Sequence, residues 1–175
     1  MRLQFWLFLL LTNFFLGEIN AQDAKKEEVK WIGFEEALNL QTTSKKPIMV
    51  FVYTNWCSWC KLMEKDIFQN PKAVSYLNDQ FYSVKINAES KDTFVVKGQT
   101  YTYLPQYKAN ELALYLLEGR LSFPTTVFLT ATQKMQRIPS YLDLMHAEWL
   151  YRFFGEQVYE KSSFDDYMKT HKPTW

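Results

Sequence analysis

Cys57 and Cys60 are the two cysteines of this 175-residue sequence, and only Ser58 and Trp59 separate them. Residues three apart on a helix are neighbours, so a small adjustment of the turn that carries them permits a disulfide. At the start of a helix, the free backbone amides and the positive end of the helix dipole stabilise a thiolate at Cys57. Lys61, one turn further on, adds a positive charge. The pair therefore predicts thiol–disulfide chemistry, provided that a helix begins at it.

The segments on either side of the pair predict the elements that must hold it. Pro47–Tyr53, directly before it, is an apolar segment with the length and the β-branched content of a buried strand. After it, Leu62, Met63, Ile67 and Phe68 recur at helical spacing among charged residues. The cysteines are thus predicted to lie where a central strand ends and a helix begins.

Other uses of the two cysteines fit the sequence less well. A disulfide between them closes a loop of only four residues, which is too short for an effective structural crosslink. A structural zinc site needs four ligands, and the only histidines, His146 and His171, are 25 residues apart. Covalent haem attachment needs a histidine directly after the second cysteine, where Lys61 stands. We predict neither a metal nor another cofactor.

Composition excludes several classes of protein. The net charge is +1 and no block of Lys and Arg stands out, which argues against nucleic acid as a partner, because neutralising phosphates needs a clustered basic face. Hydrophobic residues make up 47% of the chain and aromatic residues 18%, which favours a packed globular protein over disorder. The length is that of a single domain.

The N-terminal segment has the pattern of a secretory signal peptide, with Arg2 before the mainly apolar run Leu3–Phe15 and a cleavage position after Ala21. An uncleaved membrane anchor is the alternative, but the run is shorter than the roughly 18–20 apolar residues that a membrane span prefers. We therefore expect a signal peptide over 1–21 and a periplasmic or secreted protein, not integral to the membrane after processing. Disulfides persist in such compartments.

The mature chain is predicted to begin with a flexible polar lead-in over 22–30, followed by one domain over 31–175. The first predicted elements are a helix over 31–40, the strand over 47–53, the cysteine helix, a helix from Pro71 capped by Asn70, and a strand over 81–87. A hairpin within 94–103, turning at Gly98, and a helix over 109–118 follow. The last elements are strands over 126–129 and 135–142, a helix over 146–160, and a short helix after a capping box at 162–165.

Two separated motifs give the chain a resemblance to the thioredoxin superfamily. The first is Trp56-Cys57-Ser58-Trp59-Cys60-Lys61-Leu62-Met63, and the second is Phe123-Pro124-Thr125 before an apolar strand. The match is closest to the exported, DUF255-like branch, which carries the pattern WCxWCKxM. The resemblance implies an α/β thioredoxin fold, in which helices flank a central mixed β-sheet. Residues 92–107 then form a hairpin insertion before the third core helix. Its tyrosines, Tyr101, Tyr103 and Tyr107, either extend a substrate surface or contact a partner, or they only cover the sheet edge.

The resemblance also implies roles for individual residues. Cys57 would be the exposed cysteine that attacks a substrate disulfide, and Cys60 would be the shielded cysteine that resolves the mixed disulfide. Phe123 and Pro124 would form a cis-proline element beside the pair, with Thr125 supporting it and the Phe123 backbone binding an extended substrate. Trp56, Trp59 and Lys61 complete the predicted site, with the two indoles either forming an apolar lip for substrate or packing against the sheet.

The implied activity is that of an exported thiol–disulfide oxidoreductase, with protein or peptide disulfides as substrates. A membrane thiol transporter or another thioredoxin-like protein would be the electron donor. The alternative is a protein-binding or chaperone module of the same fold with little redox turnover.

One position departs from the thioredoxin pattern. Thioredoxins commonly have a buried aspartate six residues before the first cysteine, where it accepts the proton of the second one, and Phe51 occupies that position here. The lysine often paired with that aspartate is matched by Lys85. Glu64, one helical turn after Cys60, is either a substitute proton acceptor or a solvated helix carboxylate.

Overall fold

The computed structural model describes residues 27–175, so the predicted signal peptide lies outside the described residues. The strands are β1 Trp31–Ile32, β2 Ile48–Tyr53, β3 Tyr82–Asn87, β4 Phe94–Val96, β5 Gln99–Tyr101, β6 Tyr103–Leu104, β7 Ala109–Asn110, β8 Thr125–Leu129 and β9 Met135–Pro139. The helices are α1 Phe34–Thr43, α2 Ser58–Asp66, α3 Pro71–Gln80, α4 Glu111–Leu116, α5 Leu144–Gly155 and α6 Phe164–Thr170, with a 3-10 turn at Val158–Glu160.

A mixed five-stranded sheet in the order β1-β3-β2-β8-β9 forms the centre of the domain. β3 runs parallel to both β1 and β2, whereas β8 is antiparallel to β2 and to β9. Helices cover both faces of this sheet. The predicted α/β thioredoxin fold is therefore confirmed.

Strand β2 lies in the middle of the sheet and divides the core into two layers. Met49 and Phe51 point into a cluster with residues of α2, α3 and α5. Ile48, Val50 and Val52 point into a second cluster, with residues of α1 and α4. All five side chains are fully buried, which explains why the segment is apolar throughout and not alternating. The burial of both faces fixes the strand that leads into the cysteine pair.

The cysteine helix is followed directly by α3, as the sequence predicts. The side chain of Asn70 accepts hydrogen bonds from the amides of Lys72 and Ala73, at 3.0 and 3.2 Å, and Pro71 is the first helical residue. Proline suits this position because the first amide of a helix has no partner within it. The predicted cap is confirmed.

The predicted helix over 31–40 is wrong at both ends, because α1 begins at Phe34 and ends at Thr43. Trp31 and Ile32 form β1 beside β3, and the helix begins at Phe34, after an extended Gly33. Periodicity did not reveal a two-residue strand, which depends on pairing with Ser83 and Val84 far along the chain.

The described part of the predicted lead-in is held in place and is not flexible as predicted. Val29 is buried, and the amide of Lys30 donates to Asn78 Oδ1 at 2.8 Å.

Element ends near the C-terminus also differ from the prediction. The edge strand ends at Pro139 and not at Leu142, and the long aromatic helix is α5 followed by a separate 3-10 turn. The last helix is capped by Ser163, whose Oγ accepts from the amide of Asp166, one residue later than predicted. Ser162 and Ser163 present the same local signal, each with an aspartate three residues later, so the sequence alone does not distinguish the two caps.

The predicted hairpin is formed by β4 and β5, which turn at Lys97 and Gly98. Both turn residues have positive φ, 49° and 77°, which is the backbone that a two-residue hairpin turn needs. Val96 and Tyr101 are buried against the α1 and α4 side of the core, and Tyr107 is exposed. The hairpin therefore covers one face of the domain; a partner surface on it stays a prediction.

A buried carboxylate anchors the last residues to α5. Glu148 is fully buried and accepts hydrogen bonds from Arg152 Nε at 2.8 Å and from the amides of Thr174 and Trp175. Burial works to raise the pKa of Glu148, but these donors outweigh it and hold the pKa below its ordinary value of 4.5. The ionised form is therefore the one that stabilises this part of the fold.

We expect Glu148→Gln to lower the free energy of unfolding at neutral pH by about 2–3 kcal/mol, because hydrogen bonds to a buried charge are strong. Because the folded pKa of Glu148 lies below its unfolded value, its contribution is complete above pH 4.5 and is lost as pH falls through the folded pKa. Urea denaturation at a series of pH values measures the difference between wild type and variant.

The matched control is Glu156→Gln, because Glu156 also pairs with Arg152, at 3.2 Å, but is exposed. Its effect should stay below about 1 kcal/mol. Equal losses in the two variants would contradict the anchoring role of Glu148.

Candidate redox site

Cys57 and Cys60 form a disulfide at the point where β2 has ended and α2 begins, with their Cα atoms 5.2 Å apart. Cys57 is the N-cap of α2, and its Sγ accepts a hydrogen bond from the amide of Cys60 at 3.0 Å. In most helices an oxygen of Ser, Thr, Asp or Asn makes this contact. The same amide would stabilise a thiolate on Cys57 in the reduced protein.

Cys57 is less accessible than the resemblance implies. Cys57 is 4% exposed and Cys60 1%, so both are buried in this oxidised state, and attack by Cys57 stays a prediction. The two sulfurs cover each other in the disulfide, and Phe123 packs against the cluster that contains them. Lys61 is exposed and forms no ion pair with another residue of the described part, 27–175.

The second motif forms the loop that enters β8. The Phe123–Pro124 peptide bond is cis. Thr125 is buried, and its Oγ1 donates to the carbonyl of Ser122 at 2.8 Å, while the amide of Ser140 donates to the carbonyl of Pro124 at 2.9 Å. The backbone of Phe123 makes no hydrogen bond to any residue between 27 and 175. Pairing of this backbone with an extended substrate stays a prediction.

Two exposed indoles stand beside the disulfide. Trp56 is 64% exposed and Trp59 59%, so neither is packed into the sheet. Trp56 meets the ring of Phe123 edge to face, with centroids 6.1 Å apart, and Trp59 meets Tyr141 at 5.3 Å. Large apolar surfaces exposed together are unusual on a monomer and typical of binding sites.

Trp56 is held by a residue that the sequence did not reveal. Its Nε1 donates to Glu89 Oε1 at 2.9 Å. The loop that carries Glu89 is fixed by the fully buried Asn110, whose Nδ2 donates to the carbonyls of Ser90 and Asp92 at 3.2 and 2.9 Å. These contacts join the start of the insertion to the redox site.

Tyr141 and Asp66 form a second unpredicted support. The hydroxyl of Tyr141 donates to Asp66 Oδ2 at 3.0 Å, which ties the segment after β9 to the end of α2. Burial is the main cause that raises the pKa of Tyr141, and the hydrogen bond to Asp66 raises it further. The hydroxyl therefore stays protonated at neutral pH. The two residues are 75 positions apart, and no local pattern connects them.

The position where thioredoxins have a buried acid is fully apolar. Phe51 is buried, stacks on Tyr53 and contacts Phe68 edge to face with centroids 4.9 Å apart. Lys85 lies beside Phe51 on the neighbouring strand and pairs instead with Glu64, with Nζ and Oε1 2.9 Å apart. The carboxylate that partners this lysine therefore comes from α2.

Between residues 27 and 175 the structure shows neither a cluster of metal ligands nor a membrane-spanning helix. No group of three or more His, Cys, Asp and Glu side chains between residues 27 and 175 is arranged to hold a metal ion. Among the helices described, none is long and apolar enough to cross a membrane.

Fold and site together define a thioredoxin-like protein with a redox-type cysteine pair. The family model described as a protein of unknown function, DUF255, and named for a thioredoxin-like DsbH, matches residues 21–154. The chain belongs to this family, as the WCxWCKxM motif predicts.

Similar proteins include much longer chains. An uncharacterized protein of Caenorhabditis elegans is 28% identical over 122 residues, which are 66% of this chain and 16% of that protein. Human spermatogenesis-associated protein 20 is 35% identical over 57 residues, 33% of this chain and 7% of that protein. This chain therefore matches only a small part of the length of either relative.

Two solved structures share the fold. A DsbH oxidoreductase superposes with a TM-score of 0.50 at 20% identity, covering 82% of this chain and 87% of that one. A thioredoxin-fold protein from Helicobacter pylori gives 0.55 at 18% identity, covering 71% and 83%. At these identities the likeness establishes the fold.

Proposed function

We propose that this protein is a thiol–disulfide oxidoreductase that reduces or exchanges disulfides of proteins and peptides. The observation that carries the proposal is the position of Cys57 as the N-cap of α2, where the amide of Cys60 meets its sulfur. A helix start lowers the pKa of a thiol, and the thiolate is the nucleophile in exchange. The exposed indoles of Trp56 and Trp59, which flank Cys57 in the sequence, and the backbone of Phe123 would form the surface for substrate.

The reaction starts from the dithiol form. The Cys57 thiolate attacks one sulfur of a substrate disulfide; a mixed disulfide forms, and the first substrate thiolate leaves and takes up a proton. Cys60 then loses its proton and attacks Cys57 Sγ, which releases the second substrate thiolate. Two electrons pass to the substrate, and the disulfide Cys57–Cys60 remains. An external dithiol must reduce it before the next cycle.

The alternative is a binding or chaperone module with little redox turnover. The exposure of Trp56 and Trp59 supports it, because an apolar surface binds unfolded segments without any chemistry. The Cys60–Cys57 contact favours the redox function, since binding alone needs no cap built from sulfur.

The two cysteines should behave differently when each is replaced by serine. Cys60→Ser keeps the attacking thiolate but cannot resolve the mixed disulfide, so we expect it to accumulate a covalent adduct with a disulfide substrate. Cys57→Ser should form little adduct. Non-reducing electrophoresis and intact mass measure this, and reduction of insulin by dithiothreitol measures turnover.

The control for turnover is the variant in which both cysteines are alanine. It should leave insulin reduction at the uncatalysed rate. Equal trapping by the two serine variants would contradict the assigned order, and wild-type turnover equal to that of the double variant would favour the binding module.

Glu64 is the carboxylate that we assign to the proton of Cys60. It lies one turn after Cys60 on α2 and forms an ion pair with Lys85, the strand neighbour of Phe51, where the usual acid is missing. A carboxylate that is a third exposed is accessible to water, which can carry the proton between the two groups.

We expect Glu64→Gln to slow resolution of the mixed disulfide by about 10- to 100-fold, which is below the usual range for a general base because water relays the proton. Attack by Cys57 should keep its rate, because it does not need this proton transfer. Rapid-quench mixing with a disulfide peptide, with acid quench and mass analysis, separates the two steps.

Glu118→Gln is the control, because Glu118 also forms an ion pair, with Arg137 at 3.0 Å, but on another part of the domain. Loss of both steps together would contradict the assignment.

The N-terminal sequence pattern supports a proposal for the working compartment. We propose export through a signal peptide over 1–21, with a periplasmic or secreted mature form and a membrane thiol transporter or a thioredoxin-like protein as electron donor. Intact mass of the exported protein should correspond to a chain that begins at Gln22. A mass that includes Met1 would contradict cleavage.

A further inference from the structure

A cleft of about 390 Å³ opens beside the cysteine pair. Its lining begins with Trp59, which lies between the two cysteines in the sequence. This volume is at the lower end of ligand pockets, and corresponds to a site for one or two side chains. The complete lining is Trp59, Ser122, Phe123, Pro124, Ser140 and Tyr141.

Three aromatic rings line the cleft, and contacts with residues outside it hold two of them, Tyr141 and Phe123. Trp59 and Tyr141 face each other with centroids 5.3 Å apart and planes inclined by 45°. The hydrogen bond from Tyr141 to Asp66 holds this ring from the other side. Opposite, Phe123 is supported by Trp56, which is itself held by Glu89. A site with fixed walls loses little conformational entropy on binding.

The chemistry of the lining selects the kind of ligand. None of its six residues carries a charge, so the cleft offers no ion pair to small charged disulfides. The free amide and carbonyl of Phe123 can instead pair with an extended backbone, which places alternate side chains toward the cleft. An aromatic side chain fits best, because its edge and face complement the rings already present.

We propose that Trp59 and Tyr141 are specificity-determining residues, which select polypeptide substrates with an aromatic side chain next to the half-cystine. This inference rests on the proposed function, because it assigns the substrate class of the same site. Asp66 is the positioning residue for Tyr141.

The test compares two disulfide-bonded peptides that differ only in having Phe or Gly on either side of the reactive cysteine. With dithiothreitol as reductant, we expect the wild type to show a KM about 10-fold lower for the Phe peptide, as one aromatic contact provides. Tyr141→Ala should bring the two KM values within about twofold. Tyr141→Phe keeps the ring but loses the bond to Asp66, so it should keep part of the preference.

Tyr115→Ala is the matched control, because Tyr115 is also a half-exposed tyrosine but lies on α4, against Tyr101. It should keep the full preference for Phe. A wild type without preference, or an equal loss of preference in Tyr115→Ala, would overturn the subsite.

Binding without turnover separates this inference from the proposed function. Both peptides are prepared with serine in place of cysteine and titrated calorimetrically into the oxidised protein. The subsite is supported if the wild type binds the Phe peptide more tightly than the Gly peptide and Tyr141→Ala does not. This result supports the subsite even if the protein reduces neither bis(2-hydroxyethyl) disulfide nor the two disulfide peptides. Equal binding of the two serine peptides would overturn the subsite, whereas reduction of bis(2-hydroxyethyl) disulfide would still support the oxidoreductase.

Discussion

The hydrogen bond from the amide of Cys60 to the sulfur of Cys57 links the fold of this protein to its chemistry. The atom that caps α2 is also the atom that would react, so the helix cannot begin elsewhere without moving the sulfur. The amide of Cys57 in turn donates to the carbonyl of Thr54 at 3.2 Å, which ties the cap to the end of β2. Because β2 is buried on both faces, this chain of contacts leaves the sulfur little freedom of position.

The interior beneath the pair is apolar, and this changes where charge can be placed. An acid at the position of Phe51 would be buried, and burying an ionised carboxylate costs much free energy unless it is paired. Glu64 and Lys85 instead meet at the edge of the core, where both keep contact with water. The arrangement keeps a carboxylate within one helical turn of Cys60 and leaves the aromatic packing of Phe51 intact.

The sequence predicted those features of the structure whose signal lies within a few neighbouring residues, and it missed those that depend on distant contacts. The cysteine helix, the buried strand before it, the Asn70 cap and the hairpin turn each have their signal within a few residues, and all are present. Strand β1 depends on a pairing more than 50 positions away. The supports of the site are equally distant: Trp56 and Glu89 are 33 residues apart, and Tyr141 and Asp66 are 75. Only the folded chain brings these groups together.

Asn110 has a consequence for how the domain can change during evolution. Its side chain closes the loop at residues 90 and 92, before the hairpin starts at Phe94, and its own amide donates to the carbonyl of Ala88 at 2.7 Å. The loop that carries Glu89 is therefore complete without the hairpin. A chain segment that begins and ends at such a clasp tolerates changes in its length, because the added loop entropy is small. The turn at Lys97 and Gly98 can therefore lengthen without opening the loop of Glu89 beside the cysteine pair, whereas the strands of the hairpin are constrained, because Val96 and Tyr101 pack into the core.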